Sequence, residues 1–430
     1  VWLPVIIAAS IALGIFIGNH YLSISQGKKR SYSSGNKINA ILDIIDEQYV
    51  DTVSMSKLVE STIPKIFSEL DPHSVYIPAE DASVVNEELE GSFSGIGVSF
   101  NMQTDTILVI SVISGGPAEK AGLLPFDRII SINDSIFSGK KKNQGEIMKT
   151  LRGAKNSTVK LGVQRGNSPE LLYFDVTRGD VPVNSVDVSY EAAKGIGYIK
   201  VSKFARNTYN EFITAIAKLK QAGCTSFVID LRGNTGGYMD AAINMINEFM
   251  PEGRLIVYTE GKSFPRSDVY ANGTGTCKDA PIVVLTDEIS ASASEIFSGA
   301  IQDNDRGTII GRRTYGKGLV QTQMSLSDGS EMRLTIARYY TPSGRCIQKK
   351  YEMGNTDAYD QDIYNRYMHG EFDSADSIKM DDSLKYQTVG GRTVYGGGGI
   401  MPDIFIPRDT SGVTSYYSNV VNSGVLYLYA

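Results

Sequence analysis

Three short stretches carry side chains whose types and spacing can do chemistry. The first is Thr286-Asp-Glu-Ile-Ser-Ala-Ser-Ala-Ser-Glu295, which follows the apolar run Pro281–Thr286 and opens a helical pattern. Ser292 therefore falls at a strand-to-helix turn, where unbonded backbone N–H groups and the helix dipole can stabilise a developing oxyanion. The same residues also read as a capping box, in which the Ser292 hydroxyl merely satisfies the amide of Glu295. The second stretch is Gly316-Lys317-Gly318-Leu-Val-Gln321, with Lys317 25 residues after Ser292. A lysine in water is a poor base, because a pKa near 10.4 leaves about one in a thousand or fewer neutral at pH 7. Burial disfavours the charged form and lowers that value by up to several units, which makes the amine competent to take a proton from a serine hydroxyl. Gln321 can then hold the amine through its carbonyl oxygen; a solvated turn lysine is the competing reading. The third stretch, Asp230-Leu-Arg-Gly-Asn-Thr-Gly-Gly237, is a glycine-rich loop after a buried strand, of the kind that offers backbone N–H groups to an anion. It matches neither of the nucleotide-binding glycine patterns. Asp230 and Arg232 fit equally well as an ion pair shaping the loop or as direct participants.

The residues that are scarce are as telling. The three histidines are His20, His73 and His369, so a Ser-His-Asp triad would have to recruit His73, and lysine is the better base. Cys224, Cys277 and Cys346 form no CxxC pair and have no histidine nearby, so no metal site is implied and buried thiols are expected. A net charge of −6 argues against a general nucleic-acid binder.

The elements that must position these residues follow from periodicity. Residues 1–18 carry no charge and are almost wholly apolar, long enough at ~1.5 Å per residue to reach across a hydrocarbon core of about 30 Å. An uncleaved membrane anchor is expected, followed by a polar, Ser/Gly-rich tether over 19–36. Between 37 and 90 apolar residues recur at helical spacing (Ile38, Ile41, Leu42, Ile45, then Leu58, Ile63, Ile66, Phe67), which predicts two amphipathic helices ending at Asp71-Pro-His-Ser74. Their apolar faces make a homodimer plausible. From 91 to 180 five strand-like runs and two short helical runs predict a small β module. From 181 to 349 strands alternate with amphipathic helices, the pattern of βαβ crossovers around a mostly parallel sheet. Residues 350–385 are polar, acidic and aperiodic, and read as an inserted or mobile loop; 386–430 return to strand-like composition and are expected to be an incomplete C-terminal part of the core.

Taken together, S-A-S-A-S-E, Y-G-K-G-L-V-Q and D-L-R-G-N-T-G-G at these spacings resemble the carboxyl-terminal processing (tail-specific) serine peptidases, over about 38–407. The resemblance implies an α/β multidomain fold with a ClpP/crotonase-like peptidase core. It makes Ser292 the nucleophile, Lys317 the general base and Gln321 the residue that orients the lysine. It also implies an oxyanion hole formed by the amide of Ala293 and that of Gly236 or Gly237. The 91–180 module resembles the family's PDZ domain, with Gly95, Ile96, Gly97 and Val98 in the place of the carboxylate-binding loop. In that domain an extended tail adds to a sheet edge. The implied activity is endopeptidase cleavage of proteins near their C-termini, gated by the PDZ domain, without metal or organic cofactor and with protein substrates as partners, an adaptor protein among the possibilities. The resemblance also places the catalytic part outside the cytoplasm, in the periplasm of an inner-membrane-anchored protein. The basic run Lys28-Lys29-Arg30 by itself favours the opposite orientation. Two other classes compete: an inactive PDZ-bearing scaffold that binds tails, and a Ser-His hydrolase on the same sheet.

Overall fold

The computed structural model describes residues 34–103, 106–136, 144–166, 168–412 and 414–423. The expected anchor over 1–18 and the end of the chain from 424 lie outside these. Among the described residues no helix is long and apolar enough to cross a membrane.

The chain divides after Lys65 into two units. The first holds the helix Ser34–Gln48 and most of the helix Met55–Ser68. On the former, Ile38, Ile41 and Ile44 recur at helical spacing and are all exposed.

In the second unit, the β module is built on a sheet in the order Val98–Gln103, Thr106–Val112, Arg128–Ile132, Thr158–Gln164, Leu171–Thr177, every pair antiparallel. Its alternating apolar residues, among them Val109, Ile129, Leu161 and Val163, close over Ile147 and Leu151 of the helix Gln144–Leu151. A separate two-stranded ribbon pairs Ser92–Gly95 with Gly179–Pro182.

The core sheet runs Val186–Ala193, Ile196–Val201, Ser226–Asp230, Ile282–Thr286, Thr308–Gly311, Ile404–Phe405. The first pair is antiparallel and the remaining four are parallel. The helices Thr208–Gln221, Met239–Asn247 and Ala293–Asp303 pack on it through Phe212, Met245 and Phe297, and Phe249 touches the rings of Phe212, Phe227 and Phe297. Chemistry in such sheets collects at the carboxyl ends of the strands, and Asp230 and Thr286 mark those ends here. A second sheet, antiparallel throughout, carries Leu319–Ser325 against Glu331–Tyr340, with the short strand Val75–Ile77 also paired to the latter.

One expectation is overturned. Residues 350–385 are not a loop: Thr356–Met368 is a helix, capped by the Asn355 side chain accepting from the Ala358 amide. The helix has no apolar stripe to betray it. Its buried residues are Tyr359 and Arg366, and Arg366 donates to the carbonyls of Thr314 and Arg313 at 3.0 and 2.8 Å.

Candidate active site

Ser292 sits in the turn between the strand Ile282–Thr286 and the helix Ala293–Asp303 with φ 55° and ψ −113°. A positive φ is unfavourable for any residue with a Cβ, and such strain persists only where the surroundings impose it. Here the flanking serines do so. Ser290 donates its hydroxyl to the Leu231 carbonyl at 2.8 Å, and Ser294 donates to the Asn234 carbonyl at 2.9 Å. The alternating serines thus dock the turn on the glycine-rich loop and leave the middle one to face the cleft. Ser292 and Glu295 do form a capping box. Two features set it apart from a plain cap. An ordinary N-cap residue lies in the β region, and the Glu295 amide also donates to the Ser292 carbonyl at 2.8 Å, so the hydroxyl is not that amide's sole acceptor.

The glycine-rich loop is shaped by Asp230 and Arg232, which form a two-point ion pair at 2.9 and 2.6 Å, with the Tyr198 hydroxyl at 2.6 Å from the same carboxylate. Burial raises the Asp230 pKa, but these donors outweigh it and hold the carboxyl below its ordinary value. The ion-pair reading of Asp230 and Arg232 is therefore the observed one. Gly236 lies so close to the serine turn that a Cβ there would stand 2.7 Å from both the Ala291 oxygen and the Ser292 Cβ. Its amide, however, donates to the Asn234 side chain at 2.8 Å. That commits the Gly236 N–H elsewhere; Gly237 lines the same cleft as Ser292. Fully buried Asn234 is itself held, since its side chain also donates to the Val201 carbonyl at 3.0 Å.

Ser292, Lys317 and Gln321 line one cleft of about 520 Å³, together with Gly236, Gly237, Tyr238, Met239, Ile296 and Arg333. Lys317 donates its Nζ to Gln321 Oε1 at 3.1 Å. No hydrogen bond joins Nζ to the Ser292 hydroxyl, and no carboxylate stands within ion-pair distance of Nζ, among the described residues. Burial, helped by the charge of Arg333, pushes the Lys317 pKa down to about 8 against the opposing charges of Asp71 and Glu295.

Two residues without a role in the sequence reading bind the serine and lysine segments into one piece. Glu295 is completely buried, and its carboxylate accepts the Ser292, Gly316 and Lys317 amides at 2.8, 2.8 and 2.9 Å and the Thr314 hydroxyl at 2.5 Å. Burial raises its pKa to about 7 against the pull of those donors. Tyr339, also buried, donates its hydroxyl to the carbonyls of Ser292, at 3.1 Å, and of Lys317. The only sequence signal for Glu295 was its place in the capping box; for Tyr339 there was none. His73 is not beside Ser292. Its Nε2 meets the Tyr359 hydroxyl at 2.9 Å, and its carbonyl accepts from Gln321.

In the β module, Gly95 ends the ribbon strand and Val98 begins the main sheet, with Ile96 and Gly97 turning between them. Gly97 has φ 78°, and the Ile96 carbonyl accepts from Ala118 at 2.7 Å. The cysteines are unpaired, and among the described residues no three His, Cys, Asp or Glu side chains cluster as metal ligands do.

The family model for Peptidase family S41 matches residues 195–357, and that for a PDZ domain matches 94–187. The carboxy-terminal processing protease CtpB of Bacillus subtilis (strain 168) is 35% identical over 318 residues, covering 73% of this chain and 66% of that protein. A probable CtpA-like serine protease of Staphylococcus aureus (strain N315) is 33% identical over 355 residues, covering 81% of this chain and 70% of that protein. Among solved structures, the photosystem II D1 C-terminal processing protease is 24% identical with a TM-score of 0.43, covering 87% of this chain and 94% of that one. The chain thus spans about two thirds of the length of its curated relatives.

Proposed function

The chain belongs to peptidase family S41, with a PDZ domain, and from that premise we propose that it is a serine endopeptidase of the carboxyl-terminal processing type whose nucleophile is Ser292 and whose base is Lys317. The observation that carries the reading is a lysine withdrawn from water without a counter-carboxylate, in the same cleft as a serine held at a strained turn. At pH 8 about half of such amines are neutral, and a general base of that strength suits work near neutrality. Lys317 takes the Ser292 proton as Oγ attacks the scissile carbonyl, and returns it to the leaving amine. The amides of Ala293 and Gly237 face the oxyanion. Water then attacks the acyl-enzyme by the reverse path. Proton transfer requires Nζ, still held by Gln321, to close on the Ser292 hydroxyl, a tightening common when substrate arrives.

The PDZ domain captures protein tails, with Gly95–Val98 meeting the terminal carboxylate by backbone N–H groups. Gating has a physical route. Arg152 of that domain pairs with Glu87 at 3.0 Å, and Glu90, on the same helix Ala79–Glu90, accepts from the Tyr238 hydroxyl at 3.0 Å beside the glycine loop. We further propose that residues 1–18 anchor the protein in a membrane with the peptidase outside the cytoplasm.

The test is cleavage of β-casein followed by mass spectrometry of the products. The parent is expected to cut, and Ser292→Ala and Lys317→Ala are expected to be inactive. A parent that binds tailed peptides without cutting any would favour the scaffold instead.

A further inference from the structure

We propose that the Asp71-Pro-His-Ser74 turn is a positioning device for the base: its His73 carbonyl fixes the side-chain amide of Gln321 so that Oε1, and not the NH2, meets the Lys317 amine. The inference deepens the Ser292–Lys317 reading and rests on it.

A neutral amine has two N–H groups and one lone pair. It acts as a base only if the lone pair is free to face the serine hydroxyl. Gln321 Oε1 accepts one of the N–H groups at 3.1 Å, which turns the lone pair elsewhere. A side-chain amide is nearly symmetric in shape, and the flipped form would donate into the lone pair and consume it. Something must select the first orientation. The Gln321 NH2 donates to the His73 carbonyl, an acceptor that cannot receive from Oε1.

The carbonyl is itself held from two sides. Asp71 Oδ1 accepts the His73 and Ser74 amides at 3.0 and 3.2 Å and the Thr335 hydroxyl at 2.8 Å. Asp71 Oδ2 accepts the Ser74 hydroxyl at 2.5 Å, and that hydroxyl accepts the Thr335 amide at 3.0 Å. Thr335 is the cross-strand partner of Gln321. The turn therefore grips the very pair of residues whose register sets where Gln321 stands. On the other side, the Tyr359 hydroxyl meets His73 Nε2 at 2.9 Å, the rings packing edge to face at 5.1 Å. Tyr359 also accepts from Gln348 at 3.3 Å, and Gln348 Oε1 accepts the Gly318 amide at 2.8 Å. The network starts at the lysine side chain and returns to the backbone of the next residue, Gly318. Burial and the Lys317 charge hold the His73 pKa down at about 4, so the ring stays neutral across the working range. The charged groups that act on Lys317 from the surrounding elements are Arg333, Asp71 and Glu295.

The experiment compares Asp71→Ala with Asp71→Asn in the full chain, reading kcat/KM for β-casein from pH 6 to 10. Both variants lose the same charge, so both acid limbs move equally. Asn retains an oxygen for the two amides and Thr335, whereas Ala retains nothing. The expected result is a high-pH plateau about tenfold lower for Ala than for Asn, with a limb no higher than the parent's. Equal plateaus in the two variants overturn the proposal. So does a limb that rises in the Ala variant toward the value of a solvated lysine, which would report a site merely opened to water. Should Asp71→Ala fail to fold, Tyr359→Phe deletes one hydroxyl and is judged likewise: a lower plateau without a raised limb supports the proposal, and a parent-like profile overturns it. Lys317→Ala assayed alongside separates the two levels, since its activity at parent rates would sink the dyad reading itself.

Discussion

Lys317 and Lys349 are neighbouring lysines drawn out of water, and the fold treats them in opposite ways. The Lys349 backbone amide bonds the Gly316 carbonyl at 2.9 Å, so the two belong to one region. Lys349 is given a carboxylate, Asp362 at 3.1 Å, and its ammonium lies 4.1 and 4.0 Å from the centres of the Tyr315 and Tyr359 rings. Burial lowers its pKa, but Asp362 pulls back and aromatic faces favour the cation. Among the described residues, Lys317 is given only the neutral oxygen of Gln321 as a side-chain partner. The difference teaches that burial alone does not make a lysine a base; the withheld counterion does.

The strongest way to break this contrast is to replace each amine. Lys317→Met should cost on the order of 10³ in kcat/KM, the scale of a lost general base, while Lys349→Met costs less than about tenfold. The first should also stabilise the protein. The folded pKa of Lys317 lies below the unfolded one, so its burial penalty is full at pH 7, shrinks as pH rises from about 8, and vanishes above about 10.5. Chemical unfolding should show Lys317→Met more stable by roughly 3 kcal/mol at pH 7, with no advantage at pH 11. A loss of stability at pH 7 would count against a dry amine.

A subtler change supplies what Lys317 lacks. Gln321→Glu places a carboxylate beside the amine, as Asp362 stands beside Lys349. The acid limb of kcat/KM should move up by about one unit or more, and activity at pH 7 should fall about tenfold. An unmoved limb would show that Gln321 does not face the reacting amine. The smallest effect is the converse. Asp362→Asn removes the counterion of Lys349, and since that carboxylate is 38% exposed, unfolding should register a cost of only about 1–2 kcal/mol, with activity retained.

What the sequence made legible was local. Ser292, Lys317 and the loop ending at Gly237 were found because each follows a strand and carries its own turn chemistry. The brace residues were hidden because their partners are assembled by register. Glu295 meets Gly316 and Lys317 only after the serine helix and lysine loop pack together, and Tyr339 reaches both carbonyls across a sheet. Gly236 was equally plausible as an oxyanion donor until Asn234 was seen to claim its amide. The helix Thr356–Met368 escaped periodicity because Arg366 bonds, not an apolar stripe, hold it in place.

Glu295 couples the two halves of the site. A single buried carboxylate receives donors from the nucleophile's turn and from the base's loop, so neither can fluctuate open alone without stranding amides that the other side cannot satisfy. The Ser292 turn and the Lys317 loop thus share one melting event: a half-assembled centre, with one segment in place beside the other wandering, is a state this architecture leaves almost unpopulated.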